Sequence, residues 1–253
     1  MQIKTILCLL SFLVFNTVIA QLAEADQIKA DKGTIEIQPI LHSSMVISYN
    51  DITIYVDPYG GASLYEGLEA PDIILITDIH GDHLHQETLD EIDLSKGLFV
   101  VPKAVADKLP EHIKNQVDIL NNGQSIHRSD IFIQAIPMYN LPEDETSRHP
   151  KGRGNGYILT IENKRIYISG DTEDIQEMRN LQNIDIAFVC MNLPYTMAID
   201  HAADAVLEFQ PKIVYPFHYR GQGGLSDVEA FKNLVHSKNK NIEVRLKNWY
   251  PKN

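Results

Sequence analysis

The stretch Ile73-Ile74-Leu75-Ile76-Thr77-Asp78-Ile79-His80-Gly81-Asp82-His83 decides how this chain is read. Its first four residues are apolar and mostly β-branched, the pattern of a buried strand. The strand runs into Asp78, His80, Asp82 and His83, with Gly81 among them to let the backbone turn. Residues two apart in an extended segment point the same way, so Asp78 and His80 can reach one point. Past the turn, Asp82 and His83 can aim at a second point nearby. Imidazole and carboxylate ligands suit zinc, or manganese or iron where more oxygen atoms join in. A polar strand-to-helix loop with Asp82 as the helix cap would explain one such side chain, but it does not explain all of them.

The same stretch resembles the metallo-β-lactamase superfamily, whose signature after a strand is His-x-His-x-Asp-His. The first position departs from it, since Asp78 stands where relatives carry His. A carboxylate can replace imidazole as a ligand, so metal binding is still expected. The exchange adds negative charge, which makes a bound water less acidic.

Outward from the motif, Thr34–Ile40, Met45–Tyr49 and Ile52–Val56 read as strands, with Asn50-Asp51 as a tight turn. Gln86–Ile92 and Lys103–Leu109 read as helices, and Leu98–Val101, Val117–Leu120 and Ile131–Ile136 as strands. Gly156–Ile161 and Lys164–Ser169 form a hairpin, followed by a helix from Glu173 to Asn180 and a strand over Ile184–Val189. Asp200–Phe209 is an amphipathic helix, with His201 solvated in its first turn. Pro211–Tyr219 contains a short strand ending in His218, Ser226 caps a helix through Val235, and Ile242–Leu246 is a last strand. Strand–helix alternation beside hairpins gives an α/β class with packed sheets. The resemblance, which covers residues 34–247, specifies a four-layered αββα sandwich with metals at the sheet edges.

Residues 1–20 carry one Lys and then an almost unbroken apolar run, Ile6 to Phe15, with small residues at Val18 and Ala20. This is the pattern of a secretory signal cleaved before Gln21, its apolar run too short to span a bilayer. The chain is therefore expected to be exported, to the periplasm or beyond. Residues 21–33 are polar and read as a flexible lead-in, and 34–253 as a single domain with a large core. The net charge of −12 argues against nucleic acid or an anionic membrane as partner, since both demand basic patches. Without the leader Cys190 is the only cysteine, so no intrachain disulfide can form. It lies in Ile186-Ala187-Phe188-Val189-Cys190, where a small core residue is expected rather than a nucleophile.

Further site residues follow from the resemblance. Asp57-Pro58 implies a carboxylate that supports the metal site by orienting a ligand imidazole, and His42 falls where relatives often have a His near the site. The long loop from Pro137 to Asn155 is functional or disordered on length alone. Relatives place their third metal-binding His at the start of this loop, where this chain has Tyr139-Asn140, so His149 becomes the substitute ligand and Tyr139 a substrate-side neighbour. Lys151 and Arg153 in the same loop either hold an anionic group or are simply solvated. Gly170-Asp171-Thr172 resembles the step that carries the metal-bridging Asp, and His218 the His that closes the site. The step Tyr195-Thr196-Met197 resembles the branch that includes L-ascorbate-6-phosphate lactonase and other metal-dependent hydrolases, with Tyr195 facing substrate.

The resemblance thus implies two divalent ions, zinc foremost. Asp78, His80 and His149 would hold one, and Asp82, His83 and His218 the other, with Asp171 between and Asp82 also placed for proton transfer. The expected activity is hydrolysis of a small ester, lactone or phosphodiester by a metal-activated hydroxide. The competing reading is a metal-binding scaffold of the same fold without turnover, which the departures at Asp78 and Tyr139 would favour. No Gly-x-Ser-x-Gly elbow occurs, so a serine hydrolase is not indicated.

Overall fold

The computed structural model describes residues 22–250; the expected leader over 1–20 lies outside them. Two seven-stranded sheets lie face to face. The first runs β1 (Asp26–Lys29), β2 (Thr34–Leu41), β3 (Ser44–Tyr49), β4 (Ile52–Val56), β5 (Ile73–Leu75), β6 (Leu98–Val101), β7 (Val117–Ile119), in that spatial order. The second contains β8 (Ser125–Arg128), β9 (Ile131–Met138), β10 (Gly154–Ile161), β11 (Lys164–Ile168), β12 (Ile186–Cys190), β13 (Ile213–Phe217) and, beyond the two-residue hairpin strands β14 (Arg220–Gly221) and β15 (Gly224–Leu225), β16 (Glu243–Val244). Its order is β16-β13-β12-β11-β10-β9-β8. In both sheets an antiparallel meander passes into parallel strands, from β4 in the first and β11 in the second.

Side-chain alternation builds the layers. Ile73 and Leu75 of β5 and Val100 of β6 face the inter-sheet core, which continues through Leu159, Phe188 and Tyr215 of the second sheet. Ile74, Ile76, Phe99 and Val101 face the opposite way, into a smaller core with Leu89, Val105 and Leu109. Those last residues lie on and after the short helices α1 (Gln86–Glu91) and α2 (Lys103–Ala106). On the far side, α3 (Gln176–Arg179), α4 (Ile199–Phe209) and α5 (Val228–Lys238) cover the second sheet with Met178, Ala202, Val206, Phe231 and Val235. The expected αββα order results, with Cys190 fully buried as a core residue. Among the described residues no helix is long and apolar enough to cross a membrane.

Two local expectations need correction, and one strand was not foreseen. The lead-in is not flexible throughout: residues 26–29 form β1, paired in register with Thr34 to Ile37 of β2. The Asp26 carboxylate accepts from Tyr215 Oη at 2.7 Å and Arg245 Nη1 at 3.2 Å, distant partners that a polar tetrapeptide does not reveal. β8, Ser-Ile-His-Arg, is likewise a strand because β9 pairs with it. At α5 the cap is Asp227, which accepts from Ala230 N at 2.9 Å, while Ser226 Oγ donates to Met191 O.

Candidate metal centre

The parallel strands deliver their chemistry past their carboxyl ends, the position where open α/β sheets place ligands. Asp57 follows β4, Asp78 to His83 follow β5, Asp171 follows β11, and His218 follows β13 directly. Asp57 and His218 both have left-handed backbone, at φ 44° and 46°, as has His42 at φ 63°. Such conformations persist where surrounding structure fixes them and concentrate at functional sites. Gly170 stands at φ 61° because the chain must turn between Met138 and Asn155 to present Asp171. A Cβ there would come within 2.6 Å of Met138 Sδ and 2.9 Å of Asn155 O. Gly170→Ala is expected to cost roughly 1–3 kcal/mol, read from thermal unfolding of the metal-free protein; an unchanged midpoint would show that the turn tolerates a side chain.

The side chains converge in three groups, two of which share His218, each with donor atoms within 4.8 Å of one another: Asp78, His80 and His149; His83, Asp171 and His218; and His42, Asp82 and His218. Asp171 sits at the middle. Its Oδ2 lies 3.1 Å from His149 Nε2 and 3.3 Å from His83 Nε2, and its Oδ1 lies 3.1 Å from His218 Nε2. Asp82 Oδ2 lies 3.5 Å from His218 Nε2 and 3.3 Å from His42 Nε2. His42 in turn meets Tyr250 Oη through Nδ1 at 2.7 Å. His42 Nε2 thus stands against Asp82 with its other ring nitrogen engaged by Tyr250.

Two imidazoles are oriented from behind. His83 Nδ1 meets Asp57 Oδ2 at 2.8 Å, and Asp57 also accepts from Thr77 N and Thr77 Oγ1, both at 2.7 Å. His149 donates its backbone N–H to Asn140 Oδ1 at 2.9 Å and places Nδ1 3.1 Å from the same oxygen. With Nδ1 so engaged, each ring turns its Nε2 lone pair to the cluster. Asn140 thus anchors His149 at the edge of the cluster.

The donor set fits divalent cations. His80 Nδ1, His149 Nε2 and Asp171 Oδ1 are buried without a hydrogen-bond partner. His80 Nδ1 lies 2.6 Å from Asp78 Oδ2, but the pair lacks hydrogen-bond alignment, as expected of two atoms aimed at a shared third point. His83 Nε2 and His218 Nε2 face each other at 3.2 Å across the cluster. In the protein without cations, burial works against charge on His83, but Asp171, Asp57 and Asp82 outweigh it and hold its pKa well above the ordinary value. Burial raises the carboxyls of Asp82 and Asp171, yet the neighbouring imidazoles reverse this and keep both below the usual range. Burial first, and then the neighbouring His218 and His83 imidazoles, push His42 down to about 4 against the pull of Asp82.

Tyr139, Lys151 and Arg153 are engaged away from the roles expected of them. Tyr139 does not face the cluster: its hydroxyl donates to Glu177 at 2.9 Å, and its carbonyl accepts from Glu173 N at 2.9 Å, bracing the segment after Asp171. Lys151 is committed to Glu143 and Glu177 and lies over the Tyr139 ring, and Arg153 is paired with Asp78. Neither is free for an anion. Tyr195 stands half-buried under the Arg148 guanidinium, 4.4 Å from its ring centre.

The family model of the Beta-lactamase superfamily domain matches residues 36–218. The chain belongs to the metallo-β-lactamase superfamily. Within it, the chain is 32% identical over 218 residues to a UPF0173 metal-dependent hydrolase of Lysinibacillus sphaericus, covering 81% of this chain and 92% of that one. A candidate metal-dependent hydrolase from Parabacteroides distasonis, known from a crystal structure, is 36% identical at a TM-score of 0.79, over 89% of this chain and 98% of that one. Igni18, a metallo hydrolase from Ignicoccus hospitalis, shares the fold at a TM-score of 0.69 and 21% identity, over 84% and 94% of the two chains. The fold is thus shared with both solved structures, and the His/Asp cluster lies past the strand ends of both sheets.

Proposed function

We propose that this protein is an exported metal-dependent hydrolase that holds two divalent cations, zinc foremost with manganese or iron as alternatives, and cleaves a small ester, lactone or phosphodiester. The observation that carries this reading is Asp171, whose two oxygens face different imidazoles, His149 on one side and His218 on the other. Asp78, His80 and His149 would hold one cation, and Asp82, His83 and His218 the other. Cations held there lower the pKa of a water and offset charge developing on the substrate oxygen. The chain's own part is orientation: Asp57 and Asn140 aim the imidazoles, and His42 fixes Asp82 for ligation or for passing a proton.

Charge at the rim favours a substrate with an anionic group. Arg148 lies over Tyr195 and Arg220 over Tyr250, at 4.4 and 4.1 Å, and neither has an acidic partner among the described residues. The two segments adjoin, since Gln222 N donates to Leu193 O at 3.0 Å. The scaffold reading loses ground because both departures behind it are refilled, Asp78 by its pairing with Arg153 and the Tyr139 position by Asn140 and His149. Export rests on the apolar leader and small residues at Val18 and Ala20; N-terminal sequencing of secreted protein should start at Gln21.

Elemental analysis of the dialysed mature protein is the test. About two equivalents of zinc or manganese, with turnover on charged lactones or phosphodiesters in preference to neutral ones, is the expected result. Chelation should abolish turnover and lower the melting temperature, because ligand at 100 times Kd contributes about 2.7 kcal/mol. No bound metal after reconstitution would overturn the proposal.

A further inference from the structure

Asp78 is fully buried, and a buried carboxylate without a counter-charge is costly. Its partner comes from the loop that also carries His149. Arg153 Nε donates to Asp78 Oδ1 at 3.1 Å and Arg153 Nη2 to Asp78 Oδ2 at 3.0 Å. The same Nη2 reaches Arg148 O at 2.6 Å. The backbone just beyond is pinned to the end of β5, where Asn155 N donates to Thr77 O at 2.9 Å. A Cβ on Gly154 would come within 2.7 Å of that carbonyl. Arg153 is therefore held against Asp78 by main-chain packing as well as by charge.

We infer that Asp78 and Arg153 act as one unit in place of the imidazole found in relatives. The carboxylate supplies the oxygen donor for the first cation, and the guanidinium cancels the extra negative charge. Charge at this corner then equals that of a neutral His. The forked, two-point contact also fixes the carboxylate plane, so that Oδ2 faces His80 Nδ1 at 2.6 Å and His149 Nε2 at 4.0 Å. Arg153 is a positioning residue, acting through Asp78. Restoring His at position 78 alone would leave a guanidinium aimed at a cation and its neutral ligand.

The inference rests on the two-cation reading and is tested by zinc affinity, read by competition with a chromophoric chelator. Asp78→His is expected to weaken one zinc equivalent by about 10- to 100-fold, and Asp78→His with Arg153→Met to recover most of that loss. Equal affinities in the single and double variants would overturn the coupling, as would an Asp78→His protein that binds like the unaltered one. Arg153→Lys is a milder change that keeps the charge but loses the fork, and it should weaken the same equivalent. If it binds both equivalents undiminished, the unit does not exist. Failure of the underlying reading looks different, because the unaltered protein itself would then bind no zinc.

Discussion

Asp171→Asn should reduce hydrolysis by at least about 10²–10³-fold, the scale on which loss of one charge-stabilising group acts in a catalytic site, and should strip metal from the protein. Asn keeps the shape of Asp but offers one oxygen where the carboxylate shows two. Oδ2 stands 3.1 Å from His149 and Oδ1 stands 3.1 Å from His218, so whichever way the amide turns, one side of the cluster meets an NH2 group. No cation can be held against that donor. The fold should survive, because the substitution removes a charge already buried among imidazoles and changes no volume. Elemental analysis and circular dichroism of the purified variant separate the two effects. Full activity with two bound equivalents would remove Asp171 from the centre of the site.

The second large effect is expected at Asp57. Its two oxygens accept from Thr77 N, Thr77 Oγ1 and His83 Nδ1, so one buried carboxylate sets the orientation of a ligand and of the strand end before it. Asp57→Asn tolerates the left-handed backbone but turns a donor toward one of those three donors. Zinc affinity at the equivalent held through His83 should fall about 10- to 100-fold, with about 1–3 kcal/mol lost for the donor left unmatched. The equivalent held through Asp78 and His80 should be spared. If both equivalents weaken alike, Asp57 acts on the fold as a whole and not through His83.

The sequence carried the strand ending in Asp78 to His83 because apolar run, Gly and clustered ligands all occur within one short segment. Asp171 and His218 are singled out through the resemblance of Gly170-Asp171-Thr172 and of the strand end before His218, since a lone Asp or His at a strand end reads equally as a cap or a core residue. The residues that aim the ligands were less visible. Asn140 and Thr77 are ordinary polar residues whose roles depend on contacts with His149 and His83 across the fold. Lys151 and Arg153 read as free loop cations, because Glu177 and Asp78 are remote in sequence. β1 went unseen since its four residues alternate weakly, and its support comes from Tyr215 and Arg245. Long-range pairing, unlike periodicity, leaves no local trace.

The two sheets are also consecutive in the chain: β1 to β7 end at Ile119, and β8 begins at Ser125. Every ligand group draws on both halves, since Asp78 and His80 need His149, His83 needs Asp171 and His218, and Asp82 needs His218. Neither half can gather a complete set of donors alone. In folding, cation capture must therefore come after the halves dock, and a chain severed between β7 and β8 should take up zinc only when the two fragments reassemble.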